Sequence, residues 1–257
     1  MSISSIGSQS LYQNYQQLSS GKRINSAKDD PAGLAIAEKL LTQSNGYDVG
    51  QRNAATSRDM VNVADGGLSS ITDSLQRIRE LGVQASNTAI YGDSERKMMQ
   101  QEIDQLKESI SDVAKNTSFN TKSLLDGSMG SSHVASGPDG SGMDINMPDA
   151  TLDALGIADF DVTGDFDLSV IDGALEKVSS ARSEMGATSN RLDYTINFNS
   201  YASYNTTASR SRIEDLDFPK AVSDMKKNSI LEEYRLMMQK KQEEQNNMVV
   251  NMLRFNS

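Results

Sequence analysis

No cysteine and no tryptophan occur in the 257 residues, and aromatic side chains make up only 5%. Without thiols there is neither a disulfide framework nor a thiolate site. With 37% hydrophobic residues and so few rings, the composition argues against a single thick globular core. Four prolines, at 31, 138, 148 and 219, leave residues 32–137 and 149–218 free of helix breakers, as long helices require. No apolar run approaches the roughly 20 residues needed to cross a bilayer, so membrane insertion is not expected. The first residues carry no charged leader and no apolar core, so any exit from the cell would not use an ordinary cleaved signal.

Chemical groups are scarce too. His133 is the one histidine and lies in a Gly/Ser-rich loop, which excludes a two-histidine zinc motif and reads as an ordinary surface residue. No glycine-rich run has the spacing of a phosphate cradle or a dinucleotide fingerprint, so no cofactor is expected. Asp159, Asp161, Thr163, Gly164, Asp165 and Asp167 match the opening of a calcium loop, but its twelfth position is Val170, where a bidentate Glu is required. This run reads as a solvated acidic hairpin with no metal. Two sequons, at Asn116 and Asn205, read as chance occurrences. No acid, base and nucleophile set suggests an enzyme.

Basic residues are also missing from one stretch: between Lys122 and Lys177 there are eleven acidic residues and no Lys or Arg. Since the whole chain carries −10, the remainder is near neutral. The acidic middle suits a solvated outer surface and argues against nucleic acid or anionic membrane as partners, while the near-neutral ends suit close self-packing.

What the chain does have is heptad periodicity. Ala54, Val61, Ala64, Leu68, Ile71, Leu75 and Ile78 step by threes, fours and sevens, forming one stripe of a helix that wants another helix. Asp30 and Pro31 form a start signal, the helix is expected to run to about Asn87, and some 55 residues would span roughly 80 Å. After a turn at Tyr91-Gly92, Asp93 or Ser94 caps a second helix with the stripe Met99, Ile103, Leu106, Ile110 and Val113. The short connection makes an antiparallel hairpin. From Asn116 to Leu168 the period changes to Gly/Ser clusters and short alternations, read as small hairpins and loops. A third helix from Ser169 carries Ile171, Leu175, Val178, Met185 and Leu192, turns polar through Tyr194, Phe198, Tyr201 and Tyr204, and ends or kinks at Pro219. The expected fold is mainly α: an elongated antiparallel coiled-coil or helical-bundle rod with a small β-hairpin region in the middle. Its stripes are expected to bury themselves against other segments or neighbouring copies.

Several runs carry a resemblance. Leu18-Ser19-Ser20-Gly21-Lys22-Arg23-Ile24-Asn25-Ser26-Ala27-Lys28-Asp29-Asp30-Pro31 and its continuation to Ala37 are similar to the N-terminal signature of bacterial flagellins. Leu75-Gln76-Arg77-Ile78-Arg79-Glu80-Leu81 resembles a second signature, and Ala181-Arg182-Ser183-Glu184-Met185-Gly186-Ala187, Asn190-Arg191-Leu192 and Ser211-Arg212-Ile213-Glu214-Asp215 resemble the C-terminal half. The likeness covers most of the chain outside 127–168. It implies a short flagellin without large outer domains: an assembly arm and spoke at 1–30, two rod helices in 31–126, the acidic hairpins at 127–168, a C-terminal rod helix at 169–218 and an assembly helix at 219–257.

The resemblance also implies partners and a place. Flagellins form a helical homopolymer, the bacterial flagellar filament, outside the cell. They leave with an export chaperone through the type III export apparatus and meet hook-associated junction and cap proteins. A host flagellin-sensing Toll-like receptor reads the rod, which carries over onto Gln76, Arg77, Glu80, Leu81 and Gln84 of the first long helix and Glu102 of the second. Arg77, Leu81 and Gln84 lie at spacings that share a face, though Arg77 and Glu80 also fit an ordinary solvated pair and Leu81 a core position. The alternative within the superfamily is the hook-filament junction protein. One departure is the charged tail: Lys240, Lys241, Glu243 and Glu244 would need ion-pair partners in a packed inner layer, or a wet channel.

Overall fold

A computed structural model describes the backbone of residues 3–255 and the side chains of 12–248. The elements in order are α1 (Ile3–Ser20), α2 (Pro31–Ala85), α3 (Asp93–Asn116), β1 (Ser118–Phe119), β2 (Lys122–Ser123), β3 (Ser131–Ala135), β4 (Gly142–Asn146), α4 (Leu152–Leu155), α5 (Ser169–Glu214) and α6 (Phe218–Phe255). The chain is thus mainly α, with two antiparallel hairpins where the periodicity fails. No described helix is long and apolar enough to cross a membrane.

Local chemistry sets most boundaries. The Asp30 carboxylate accepts the Gly33 amide at 2.8 Å and Pro31 takes the first helical position, as the start signal of α2 requires. The start of α3 differs from expectation: its cap is Gly92, whose N–H is accepted by the Glu95 carboxylate at 3.0 Å, while Asp93 and Glu95 lie in the first turn beside the positive end of the helix dipole. The end of α5 differs as well. It stops at Glu214, and Pro219 belongs to the first turn of α6, where a missing N–H costs nothing and Asp217 accepts the Lys220 amide at 3.2 Å.

The chain divides into two compact units, one of residues up to Gln43 together with those from Tyr204 onward, the other Ser44–Ser203. The division falls inside α2 and α5.

In the 44–203 unit, α2 and α5 run antiparallel, tied by Arg79–Asp172 at 2.6 Å, Arg182–Asp65 at 3.0 Å and Arg58–Asp193 at 3.0 Å. The Ser203 hydroxyl continues the register by donating to Asp48 at 2.6 Å. Between the helices the seam is dry: Ala54, Ala64, Leu68, Ile71, Leu75 and Ile78 are 0% exposed, and Val61 nearly so. They share one core with buried Ile103 and Ile110 of α3, buried Ile171, Val178, Met185 and Leu192 of α5, and half-buried Met99, Leu106, Val113 and Leu175. Of the two kinds of partner expected for these stripes, other segments of the same chain are the ones observed. The stripes are satisfied within one chain, because α2, α3 and α5 supply three apolar faces to one another.

The hairpin region adds to the same core through Leu124, Leu125, Val134, Ile145, Ile157 and Val162. Its β3–β4 ladder pairs Ser131 with Asn146 through Ala135 with Gly142. The loop beyond lies against helix backbone: a Cβ on Gly50 would stand 2.0 Å from the Ser136 carbonyl oxygen, and one on Gly46 2.6 Å from Pro138. Two helix glycines are thereby explained by close approach. Asn53 and buried Asn199 donate to the carbonyls of Ala135 and Ser136, both at 2.8 Å. His133 faces Asp144 across the ladder at 2.7 Å, and this carboxylate, followed by the Gly140 carbonyl, raises the imidazole above its ordinary pKa. It remains half-exposed, tied to its own hairpin.

Candidate functional site

Three surfaces follow from this scaffold. The first is the patch on α2 and α3. Arg77 stands half-exposed, with Nε 2.8 Å from Glu102 and Nη1 3.0 Å from Glu80. Glu102 first, then Glu80, hold the guanidinium still more firmly protonated than usual. Gln76 and Gln84 are exposed on the same helix. The structure thus brings Arg77, Glu80 and Glu102 together as one charged cluster. Leu81 does not join them: at 2% exposure it belongs to the core, which corrects its expected role as an apolar contact. Its spacing from Arg77 suited a shared face, but four residues turn a helix by slightly more than one full turn, enough to carry Leu81 to the seam beside Ile78.

The second surface lies in the unit formed by the chain ends, where two distant sequence signatures meet. The Gly21 carbonyl accepts the Leu216 amide at 3.0 Å, and the Glu214 carbonyl accepts the Arg23 amide at 2.7 Å. Lys22 pairs with Glu214 at 2.5 Å, Arg210 approaches the same carboxylate at 3.5 Å, and the Arg23 guanidinium donates to the Ile213 carbonyl at 2.5 Å. Ile24 beneath them is 1% exposed. Sequence reasoning treated the two signatures separately. The Lys22-Arg23 pair in one and the Glu214-Asp215 pair in the other were the available signal.

The third surface is α6. It packs with α1, yet every side chain described from Glu233 to Met248 is exposed, including Tyr234, Leu236 and Met237. A helix without a buried face gains little from propensity alone in water, so these 16 positions call for a partner.

Among the described residues no three acidic or imidazole groups converge as a metal would require. In the acidic hairpin, Asp161 and Asp167 are each held below the ordinary carboxylate range by amide and hydroxyl donors of Thr163 and Ser169. Arg96 donates to the carbonyls of Val162 and Gly164 alongside, at 2.8 and 2.7 Å.

Residues 1–129 match the bacterial flagellin N-terminal helical region, and residues 168–253 match the bacterial flagellin C-terminal helical region. The chain belongs to the bacterial flagellin family. Flagellin of Bacillus subtilis (strain 168) is 34% identical over 285 residues, covering 94% of this chain and 92% of the relative. Flagellar filament core protein flaB2 of Brachyspira hyodysenteriae is 35% identical over 248 residues, covering 89% and 87%. Among solved structures, Bacillus cereus flagellin superposes with a TM-score of 0.51 at 26% identity, over 57% of this chain and 88% of that one. A putative flagellar hook-associated protein from Vibrio parahaemolyticus superposes with a TM-score of 0.61 at 19% identity, over 73% of this chain and all of that one, a likeness of fold. Flagellin-family membership makes this a structural protein whose role is that of a filament subunit. The residues between the two matched regions, 130–167, coincide with the acidic hairpins.

Proposed function

We propose that this flagellin-family chain polymerises through its terminal helices into a flagellar filament that serves motility, with the acidic hairpins facing water. One observation carries the reading: α6 is a helix with no buried face from Glu233 to Met248, while the seams of α2, α3 and α5 are closed within the chain. This terminal helix still has a face to bury, and copies of the same helix are the partners an assembly supplies. Lys240, Lys241, Glu243 and Glu244 then pair across copies or line a wet channel. Departure through a type III apparatus with a chaperone, and contact with junction and cap proteins, belong to the same reading. Seeding tests it: monomer added to short filament fragments elongates them, and a chain ending at Leu231 does not. Equal elongation by the shortened chain would refute the terminal-helix reading. Long filaments, rather than short rings, would separate it from a hook-filament junction role, which only a likeness of fold supports.

A second role is recognition of the Arg77 cluster by the host flagellin-sensing Toll-like receptor. Arg77 is exposed and pre-oriented by two carboxylates, which lowers the ordering cost of presenting a guanidinium to a partner. With Leu81 buried, that partner meets a polar patch of Arg77, Glu80, Gln84 and Glu102. Arg77→Ala is expected to leave the circular-dichroism spectrum unchanged and to weaken receptor binding at least about tenfold, as loss of an interface hot spot does. Unchanged affinity by surface plasmon resonance would rule out this role.

A further inference from the structure

The last helix carries an apolar stripe that is rich in sulfur. At about 100° per residue, Ile230, Leu231, Tyr234, Met237, Met238 and Met248 fall within an arc of about 120° on α6, interrupted only by Lys241 and Gln245. All six are exposed, the three thioethers at 69%, 49% and 59%. An arc of that width is what a helix normally turns to a core, and from Glu233 to Met248 this one stays open.

The chain has 13 methionines and no cysteine, so its readily oxidised sulfur is all thioether. Attack requires an oxidant to reach the sulfur atom, and the methionines divide sharply on that point. Met60, Met147 and Met185 are 8%, 7% and 2% exposed and lie in the core of the 44–203 unit. Met237, Met238 and Met248 stand open to a small oxidant. A neutral peroxide fits best, because a chain of net charge −10 does not repel it as it repels an anionic oxidant. As thioethers, these flexible side chains fill irregular gaps when a partner closes over them. As sulfoxides they bring a polar oxygen into the same place, and burial without a donor opposes association.

We propose that Met237, Met238 and Met248 form an oxidative switch on assembly: a peroxide converts their thioethers to sulfoxides in the free chain and so bars α6 from burial, whereas an assembled chain shields them. In each step the sulfur gives an electron pair to one peroxide oxygen, the O–O bond breaks and an S–O bond forms. The proton on the transferred oxygen passes to the departing hydroxide, which leaves as water, so sulfur is oxidised by two electrons and the peroxide is reduced. The coupling is reciprocal, since oxidation that disfavours assembly is itself disfavoured by assembly. The switch rests on the filament reading and adds its regulation.

Free chain and preformed filaments are treated with hydrogen peroxide, digested and mapped by mass spectrometry. In the free chain, Met237, Met238 and Met248 should each gain one oxygen at least about tenfold faster than Met60, Met147 and Met185, whose oxidation waits on local opening. In filaments that difference should largely vanish. Oxidised chain should elongate untreated seeds at least about tenfold more slowly, the effect of one buried polar group without a partner. Methionine sulfoxide reductases acting on both sulfur epimers should restore the rate. The triple variant Met237→Leu, Met238→Leu, Met248→Leu keeps volume and apolarity, so it should elongate like the parent and keep that rate after peroxide. Oxidised parent that elongates at the untreated rate overturns the proposal. A triple variant slowed by peroxide as much as the parent also overturns it, placing the sensitive sulfur elsewhere, as at exposed Met98. If the untreated parent fails to elongate its own seeds, the filament reading falls, and the switch falls with it.

Discussion

Leu75→Ala lowers the stability of the 44–203 unit by about 3 kcal/mol, and the loss is the same at every protein concentration. Leu75 is 0% exposed and lies in the part of the seam where α2, α3 and α5 all contribute, flanked by Ile71 and Ile78. Truncation removes the transfer energy of three carbons and leaves a cavity that three helices held by inter-helix ion pairs do not collapse to fill. Urea unfolding of the full chain, followed by circular dichroism, measures the effect, with Gln76→Ala as an exposed control expected within about 0.5 kcal/mol of the parent. Concentration is the informative variable. If the seam were closed by a neighbouring copy, dilution would itself destabilise the parent and shrink the difference. A concentration-dependent midpoint would therefore overturn the finding that the rod seams are satisfied within one chain.

That distinction marks what periodicity conveys. Heptads located α2, α3 and α5 and most of the buried side chains on them, though not Met60, Leu81, Ala85, Ala114 or Ala174, because a stripe of apolar residues has to face something apolar. They do not specify whether the opposing face belongs to the same chain. The hairpin region was legible as a change of period, yet its contribution to the core was not: Leu124-Leu125, Ile145 and Ile157 lie in apolar stretches too short to define a face. Gly46 and Gly50 read as helix-weakening until the Ser136–Pro138 segment lies on them. Ion pairs such as Arg58–Asp193 and Arg79–Asp172 join residues far apart in sequence, and no local pattern names such partners. At the patch on α2 and α3 the resemblance supplied the residues, and geometry brings Arg77, Glu80 and Glu102 together while placing Leu81 in the core.

Glu214→Ala opens the junction between the two terminal signatures. In the parent, the Glu214 side chain is 11% exposed and accepts from Lys22 and Arg210, while its own carbonyl holds the Arg23 amide. Removing the carboxylate strands two cations against the junction. Lys22 is half-exposed and recovers much of its hydration, so the cost falls short of the roughly 3–5 kcal/mol of a fully buried pair, at about 2 kcal/mol. Glu214→Gln keeps the volume and one acceptor and should lose about half as much. Because the main-chain bonds from Arg23 to Glu214 and from Leu216 to Gly21 remain possible in both variants, hydrogen exchange at the Arg23 and Leu216 amides reports the side chain's contribution. Protection there should fall by roughly tenfold or more in the Ala variant, with amides around Leu75 unaffected. Equal protection in parent and variant would show that backbone pairing and buried Ile24 alone hold the junction. A junction that opens in this way frees the segment after α1 from the start of α6, so the same variant should also elongate filament seeds more slowly than the parent, without any change in the 44–203 unit.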